Sequence, residues 1–144
     1  MRGWACPHCH QKNESNKRTC SNCGIRKNAK RTSIKARCDS LARELCKKLA
    51  KGICAKCGRP GSDWSHRVSR KHHSVRWDVC GNSDFLCREC HRTFTDRPFA
   101  FAEWLKSQGV DLEALERRAA GRWDGDYPRI IRELGDQLDA IKET

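Results

Sequence analysis

Apolar residues recur at helical spacing in several stretches of the chain. From 33 to 51, Ile34, Cys38, Leu41, Leu45 and Leu49 fall every three or four residues and form one stripe of a helix. Ser33 stands at the N-cap of that helix and Gly52 where a terminating glycine belongs. Beyond residue 97 the pattern predicts three further helices. Pro98 opens one running through Phe101, Trp104 and Leu105, and Asp111 caps one through Leu112, Leu115 and Arg118. Pro128 starts the last, with Ile130, Ile131, Leu134, Leu138 and Ile141 on one side.

Composition changes this picture. Charged residues make up 33% of the 144 positions and aromatics only 7%, so a large apolar core is not expected and something else must hold small pieces together. Eight of the 11 cysteines form four C-x-x-C pairs: Cys6/Cys9, Cys20/Cys23, Cys54/Cys57 and Cys87/Cys90. No signal peptide precedes the first pair and no stretch approaches membrane-spanning length, so a cytoplasmic location is expected. In a reducing cytosol such pairs mean metal, with zinc the default. Cys38 and Cys46 lack a nearby partner in sequence and read as small core residues.

The formal net charge of +12 points to a polyanionic partner. A membrane surface fits less well, because no basic helix with bulky aromatics is present. The chain therefore divides into a four-cysteine unit (1–24), a basic linker and helix (25–52), a second cysteine unit (53–97) and a helical C-terminal region (98–144). The fold class is small α+β, stabilised by zinc.

In the first unit, Trp4, Cys6, Cys9, Asn13, Cys20 and Cys23 follow the pattern W-x-C-x2-C-x3-N-x6-C-x2-C. Four thiolates at this spacing close a tetrahedral zinc site, and metal binding would drive folding of so small a piece. The string resembles the Ran-binding-protein type of zinc finger. Some fingers of that family stack bases on the tryptophan; others bind ubiquitin through a Thr-Phe pair, whose place here is His10-Gln11. Trp4, Arg18 and the linker residues Arg26, Lys27, Lys30 and Arg31 are the expected nucleic-acid contacts. The alternative is a folding staple whose Trp4 only covers the zinc knuckle.

The pairs Cys54/Cys57 and Cys87/Cys90 make a second four-sulfur zinc site. Four sulfur ligands leave no open position, so this zinc is structural. Between and just after the pairs stand Asp63-Trp64-Ser65-His66, a basic loop with Arg70, Lys71, His72, His73 and Arg76, then Asn82, and His91 directly after Cys90. This arrangement resembles the HNH (ββα-metal) nuclease signature, in which a histidine ends the first strand, an asparagine lies in the second and a histidine opens a helix. By that resemblance His66 is the general base, Asn82 holds the loop and His91 is a ligand of a catalytic Mg²⁺ or Mn²⁺. The chemistry suits the residue types: a neutral imidazole can deprotonate water near pH 7, and a divalent cation neutralises charge developing on a phosphodiester. Many HNH sites carry a second metal ligand just before the base. Here that residue is Ser65, a poor ligand, and Asp63, one step further along the same strand face, is expected as the second ligand in its place. Arg70, Lys71 and Arg76 are expected nucleic-acid contacts, and His72 and His73 read as loop residues facing phosphates.

The order of parts extends the likeness. A four-cysteine unit, a basic helix, C-x-x-C-G, an Asp three before the active histidine, a second C-x-x-C and a helical tail with Arg122-Trp123 resemble the phage NinG (Rap) recombination endonucleases. That resemblance implies branched DNA, Holliday junctions included, as substrate, and a bacterial host cytoplasm as the setting. Two alternatives stay open: an HNH enzyme that nicks or cuts ordinary duplex, and a zinc-finger nucleic-acid-binding protein without activity. Symmetric junction cutting needs two sites, which a homodimer would supply. Trp104, Leu112, Leu115, Trp123, Ile130, Leu134 and Leu138 exceed what a small zinc core is expected to cover, which places the dimer contact on the tail; the alternative is that they pack within one chain.

Overall fold

The computed structural model describes residues 3–6, 11–24, 26–27 and 31–142, without the side chains of Arg31 and Thr32. It is a small mixed α+β structure with two two-stranded sheets and seven helices among the described residues. The chain forms two compact units, residues 1–42 with 125–144, and residues 43–124. None of the described helices is long and apolar enough to cross a membrane.

In the first unit, β1 (Trp4–Ala5) and β2 (Lys12–Asn13) pair antiparallel, with Trp4 opposite Asn13. The buried Asn13 carboxamide ties the piece together. Its Oδ1 accepts from the Ser21 amide at 2.9 Å, and its Nδ2 donates to the Gln11 carbonyl at 3.0 Å. This unit also holds most of α1 (Arg31–Leu49) and all of α7 (Tyr127–Lys142). Helix α1 begins two residues before the expected start, so Ser33 lies in its first turn and is not the cap. The predicted stripe buries Ile34, Cys38, Leu41 and Leu45, while Leu49 is 49% exposed because the helix is ending there. Lys51 and Gly52 both take positive φ (54° and 73°), and the Gly52 amide returns to the Lys47 carbonyl at 3.0 Å. Glycine suits that left-handed stop.

The apolar side of α7 is buried at Ile130, Ile131, Leu134 and Leu138. The Cys38 thiol points at the Tyr127 carbonyl, 3.9 Å away, consistent with its reading as a core residue.

In the second unit, β3 (Asp63–His66) and β4 (Ser83–Leu86) form an antiparallel pair, with Asp63 opposite Leu86 and His66 opposite Ser83. Between them run α2 (His73–Arg76) and α3 (Val79–Asn82); after them come α4 (Arg88–Asp96), α5 (Pro98–Ser107) and α6 (Leu112–Ala119). Pro98 occupies the first position of α5, and the Asp111 carboxylate accepts from the Ala114 amide at 3.0 Å, as the sequence predicts. Among the described residues, two small apolar clusters pack in this unit. Cys54, Leu86 and Phe94 form one, with the Phe101 and Trp104 rings 4.8 and 5.1 Å from that of Phe94. Val75, Leu115 and Ala119 form the other, and the Ser74 hydroxyl donates to the Ala119 carbonyl at 2.9 Å. Gly61 is required where the loop into β3 crosses β4: a Cβ there would stand 2.6 Å from the Phe85 ring.

This packing corrects the dimer argument. Leu115, Ile130, Leu134 and Leu138 are buried within one chain; Trp104 stacks on Phe94 and the Trp123 ring lies 5.2 Å from that of Trp77. The apolar residues of the tail are largely covered inside their own units, so they give no reason to place an interface there.

Candidate functional site

The sulfur atoms of Cys54, Cys57, Cys87 and Cys90 all lie within 4.8 Å of one another. Cys57 and Cys87 are 3.8 Å apart. Tetrahedral zinc with bonds of about 2.3 Å sets its sulfurs about 3.8 Å apart, so the group can hold a structural zinc. The local fold builds it. Cys87 caps α4 by accepting from the Cys90 amide at 3.4 Å, and the Arg59 guanidinium donates to Cys57 at 3.4 Å and to Glu89 at 2.9 Å. The bond from Arg59 draws the Cys57 thiol down to about 6. Burial, followed by the hydrogen bonds its thiol donates to Cys87, Cys57 and Cys54, pushes Cys90 up to about 12. Cys54 is drawn down: burial opposes ionisation, but the amides of Cys57, Cys87 and Lys56 outweigh it. A divalent cation deprotonates such a set outright.

In the first unit, Cys6, Cys20 and Cys23 are buried with their sulfurs within 4.8 Å of one another, Cys6 and Cys23 being 3.7 Å apart. Cys9, the expected fourth ligand, lies outside the described residues. Neither Cys38 nor Cys46 joins a cysteine cluster among the described residues. Cys46 is buried and accepts from the Ser83 hydroxyl at 3.9 Å; that burial pushes its thiol up to about 11.

Beside the second cysteine set, the strand pair and α4 carry the polar residues singled out above. His66 is the last residue of β3. Its Nε2 lies 3.1 Å from the Arg76 carbonyl, and its ring sits 4.2 Å from that of Trp64. A carbonyl only accepts, so in the neutral ring Nε2 carries the proton and Nδ1 is the basic nitrogen. Asn82 is fully buried. It ends α3, one residue ahead of β4, and so does not lie in the second strand as expected; the Asp78 carboxylate caps α3 and turns the chain just before the ladder begins. Its side chain bridges the whole connection: Oδ1 accepts from the Val68 amide at 2.7 Å, and Nδ2 donates to the carbonyls of Val68 at 3.1 Å and Val75 at 3.2 Å.

His91 lies in the first turn of α4, and its Nδ1 is 2.9 Å from the Asp63 carboxylate on β3. Asp63 is held below its ordinary carboxyl range: burial opposes this, but hydrogen bonds from His91, Ser62 and Arg88 prevail. Ser65 is buried on the same strand face as Asp63, while Trp64 and His66 alternate to the other.

The expected phosphate contacts divide into two groups. Arg70, Lys71 and His72 are exposed on the connection between the strands, and Arg18 and Arg26 are exposed in the first unit. Trp4 is half-buried; its indole donates to the Lys17 carbonyl at 2.9 Å, and the Lys27 ammonium sits 5.8 Å over its ring. Lys30 and the Arg31 side chain lie outside the described residues. Two residues depart from their expected roles. Arg76 is only 8% exposed; it donates to the Arg70 carbonyl at 3.0 Å and stacks 5.6 Å from Trp77, so its guanidinium braces the loop from inside. His73 is the first residue of α2, not a loop residue, and packs 5.5 Å from Trp77 and edge-on to Trp123 at 6.4 Å. Arg76 is held by the Arg70 carbonyl and Trp77, and His73 by Trp77 and Trp123, contacts no local pattern announces.

No sequence motif marks the Arg67–Asp84 pair. Arg67 donates to both Asp84 oxygens at 2.9 and 3.0 Å, and both side chains are largely buried. Its Nη1 also reaches the Gly81 carbonyl at 3.2 Å, so the pair pins the residue after His66 to both flanks of Asn82. The signal was available only from the register that sets Ser65 opposite Asp84. Comparison with protein-family models, with curated proteins and with solved structures found no match for this chain.

Proposed function

We infer that residues 43–124 form a metal-dependent DNA endonuclease of the HNH type, and that its substrate is branched DNA. The observation that carries the reading is the joint placement of three side chains on one strand-pair-and-helix frame. His66 ends the first strand, Asn82 clamps the connection, and His91 sits in the helix beside the four-cysteine set.

In this reading His66 takes a proton from water through Nδ1 while the Arg76 carbonyl fixes its ring. Asn82 keeps the base and the basic loop in register by fastening Val68 and Val75. Arg70 and Lys71 meet backbone phosphates. A divalent cation, when bound, supplies charge neutralisation at the scissile phosphate. His91 would hold it through one imidazole nitrogen, with the Asp63 carboxylate behind that ring. That fits Mg²⁺ or Mn²⁺, which keep waters and substrate oxygens in their shell, better than a closed protein cage. The two cysteine sets hold structural zinc, and the first unit adds nucleic-acid affinity through Trp4, Arg18 and Lys27.

Branched substrate rests on the sequence resemblance to the NinG type. The test is cleavage of an end-labelled four-way junction, a linear duplex of the same sequence and a single strand, at one salt concentration, with Mg²⁺, Mn²⁺ or EDTA. Metal-dependent cutting that favours the junction is expected. Equal cutting of junction and duplex leaves a general HNH nuclease; binding without cutting under any divalent metal leaves a zinc-finger binding protein.

A further inference from the structure

We propose that Asp63 is a positioning residue that fixes the tautomer and orientation of His91, and that it is not itself a ligand of the catalytic cation. The proposal rests on the nuclease reading above and replaces the expectation that Asp63 is the second metal ligand.

The hydrogen bonds around Asp63 decide between the two roles. An ionised carboxylate only accepts, and its two oxygens offer about four lone-pair sites. Four donor groups already face them. Oδ1 accepts from the Ser62 hydroxyl at 2.8 Å and from Arg88 Nη2 at 3.3 Å. Oδ2 accepts from Arg88 Nε at 3.1 Å and faces His91 Nδ1 at 2.9 Å. The guanidinium also offsets the carboxylate charge, so a cation here would have to displace Arg88 or His91 from it.

The same geometry prepares His91. Because Asp63 can only accept, His91 Nδ1 is the N–H of the neutral ring, which puts the lone pair on Nε2. A histidine held through one nitrogen by a carboxylate presents the other in a fixed direction, the arrangement by which outer residues orient metal-bound imidazoles. The His91 side chain is 37% exposed and that of Asp63 only 14%, so the imidazole is the more open member of the pair. Both ends of the pair are anchored to the cysteine set. Asp63 pairs across the ladder with Leu86, which precedes Cys87, and His91 follows Cys90 on α4. Arg88, one turn earlier on α4, holds Asp63 from the other side. The structural metal site therefore sets the direction in which His91 faces.

The test uses the full-length, zinc-loaded protein with ¹⁵N-labelled histidine. Long-range ¹H–¹⁵N spectra report the His91 tautomer, and Mn²⁺ titration followed by electron paramagnetic resonance reports cation affinity. Wild type should show His91 with its proton on Nδ1. Asp63→Asn puts beside His91 an amide that donates as well as accepts; it should shift His91 toward the Nε2–H tautomer and weaken Mn²⁺ by about 10- to 100-fold. Asp63→Ala should lose the tautomer preference and weaken Mn²⁺ by about 10- to 100-fold, the usual cost of removing such an outer partner. If the Asp63→Asn protein loses Mn²⁺ affinity while His91 keeps its proton on Nδ1, or wild-type His91 carries its proton on Nε2, the positioning role is overturned while the nuclease reading stands. A wild-type protein that binds no Mn²⁺ even with DNA present overturns both. Tautomer and affinity in wild type and Asp63→Asn decide the matter even if the Asp63→Ala protein does not fold.

Discussion

Replacing Asn82 with alanine tests the frame of the site at its most buried point. The carboxamide is fully buried and makes three hydrogen bonds across the strand connection, one to the Val68 amide and two to the carbonyls of Val68 and Val75. At a net contribution of about 1 kcal/mol each, their loss costs about 3 kcal/mol, with more to come where the stranded Val75 carbonyl stays out of water. That is roughly a hundredfold in the folding equilibrium of the unit. Asn82→Asp should be no milder: it keeps an acceptor for the Val68 amide but turns a second oxygen toward two carbonyls and buries a charge. The assay is denaturant unfolding of the zinc-loaded protein, with amide exchange at Val68 as a local readout and single-turnover cleavage as the functional one. The expected result is a lower midpoint, lost protection at Val68 and a slower cut. A stability change under about 1 kcal/mol, the worth of a single such bond, with normal cleavage would refute the clamp.

Three further outcomes follow from the packing and the charge. Elemental analysis should find two zinc ions per chain, with Cys54→Ser unfolding residues 43–124 and Cys6→Ser leaving their circular dichroism intact. Phe94→Ala removes the ring between Leu86, Phe101 and Trp104 and should cost about 3–5 kcal/mol by urea unfolding. The double variant Arg70→Ala, Lys71→Ala should shallow the slope of log K against log salt by about 2, since each phosphate contact contributes roughly 0.9 for B-DNA, and should leave protein stability unchanged.

What the sequence disclosed, and what it hid, follows from the range of the interactions. Cys54, Cys57, Cys87 and Cys90 were legible because a metal site constrains residue type and spacing within each C-x-x-C knuckle, and the sulfurs do converge. Pro98 and Asp111 were legible because helix starts are local chemistry. The end of β3 at His66 was likewise placed by motif. Asn82 shows the limit of that approach: the residue was singled out, but its place in the last turn of α3 depends on the Asp78 cap. Arg76 and His73 were read as surface residues because a run of basic residues ordinarily is one. Arg76 instead turns in to the Arg70 carbonyl and Trp77, and His73 is half-buried against Trp77 and Trp123. The return of residues 125–142 to the first unit, where the Tyr127 carbonyl meets Cys38, has no local signal either. Whole-tail hydrophobicity suggested an interface; only the packed structure shows how that surface is covered.

The central claim is that His66 is the base of a phosphodiester-cleaving site, and chemical rescue tests it most directly. Single-turnover cleavage of the four-way junction is measured with Mg²⁺ or Mn²⁺ for wild type and for His66→Ala, each with and without added imidazole. A fall of about 10² to 10⁴ in rate is expected for His66→Ala, with DNA affinity unchanged. Added imidazole should restore part of the rate in the variant only. A His66→Ala protein that cuts at the wild-type rate would contradict the claim.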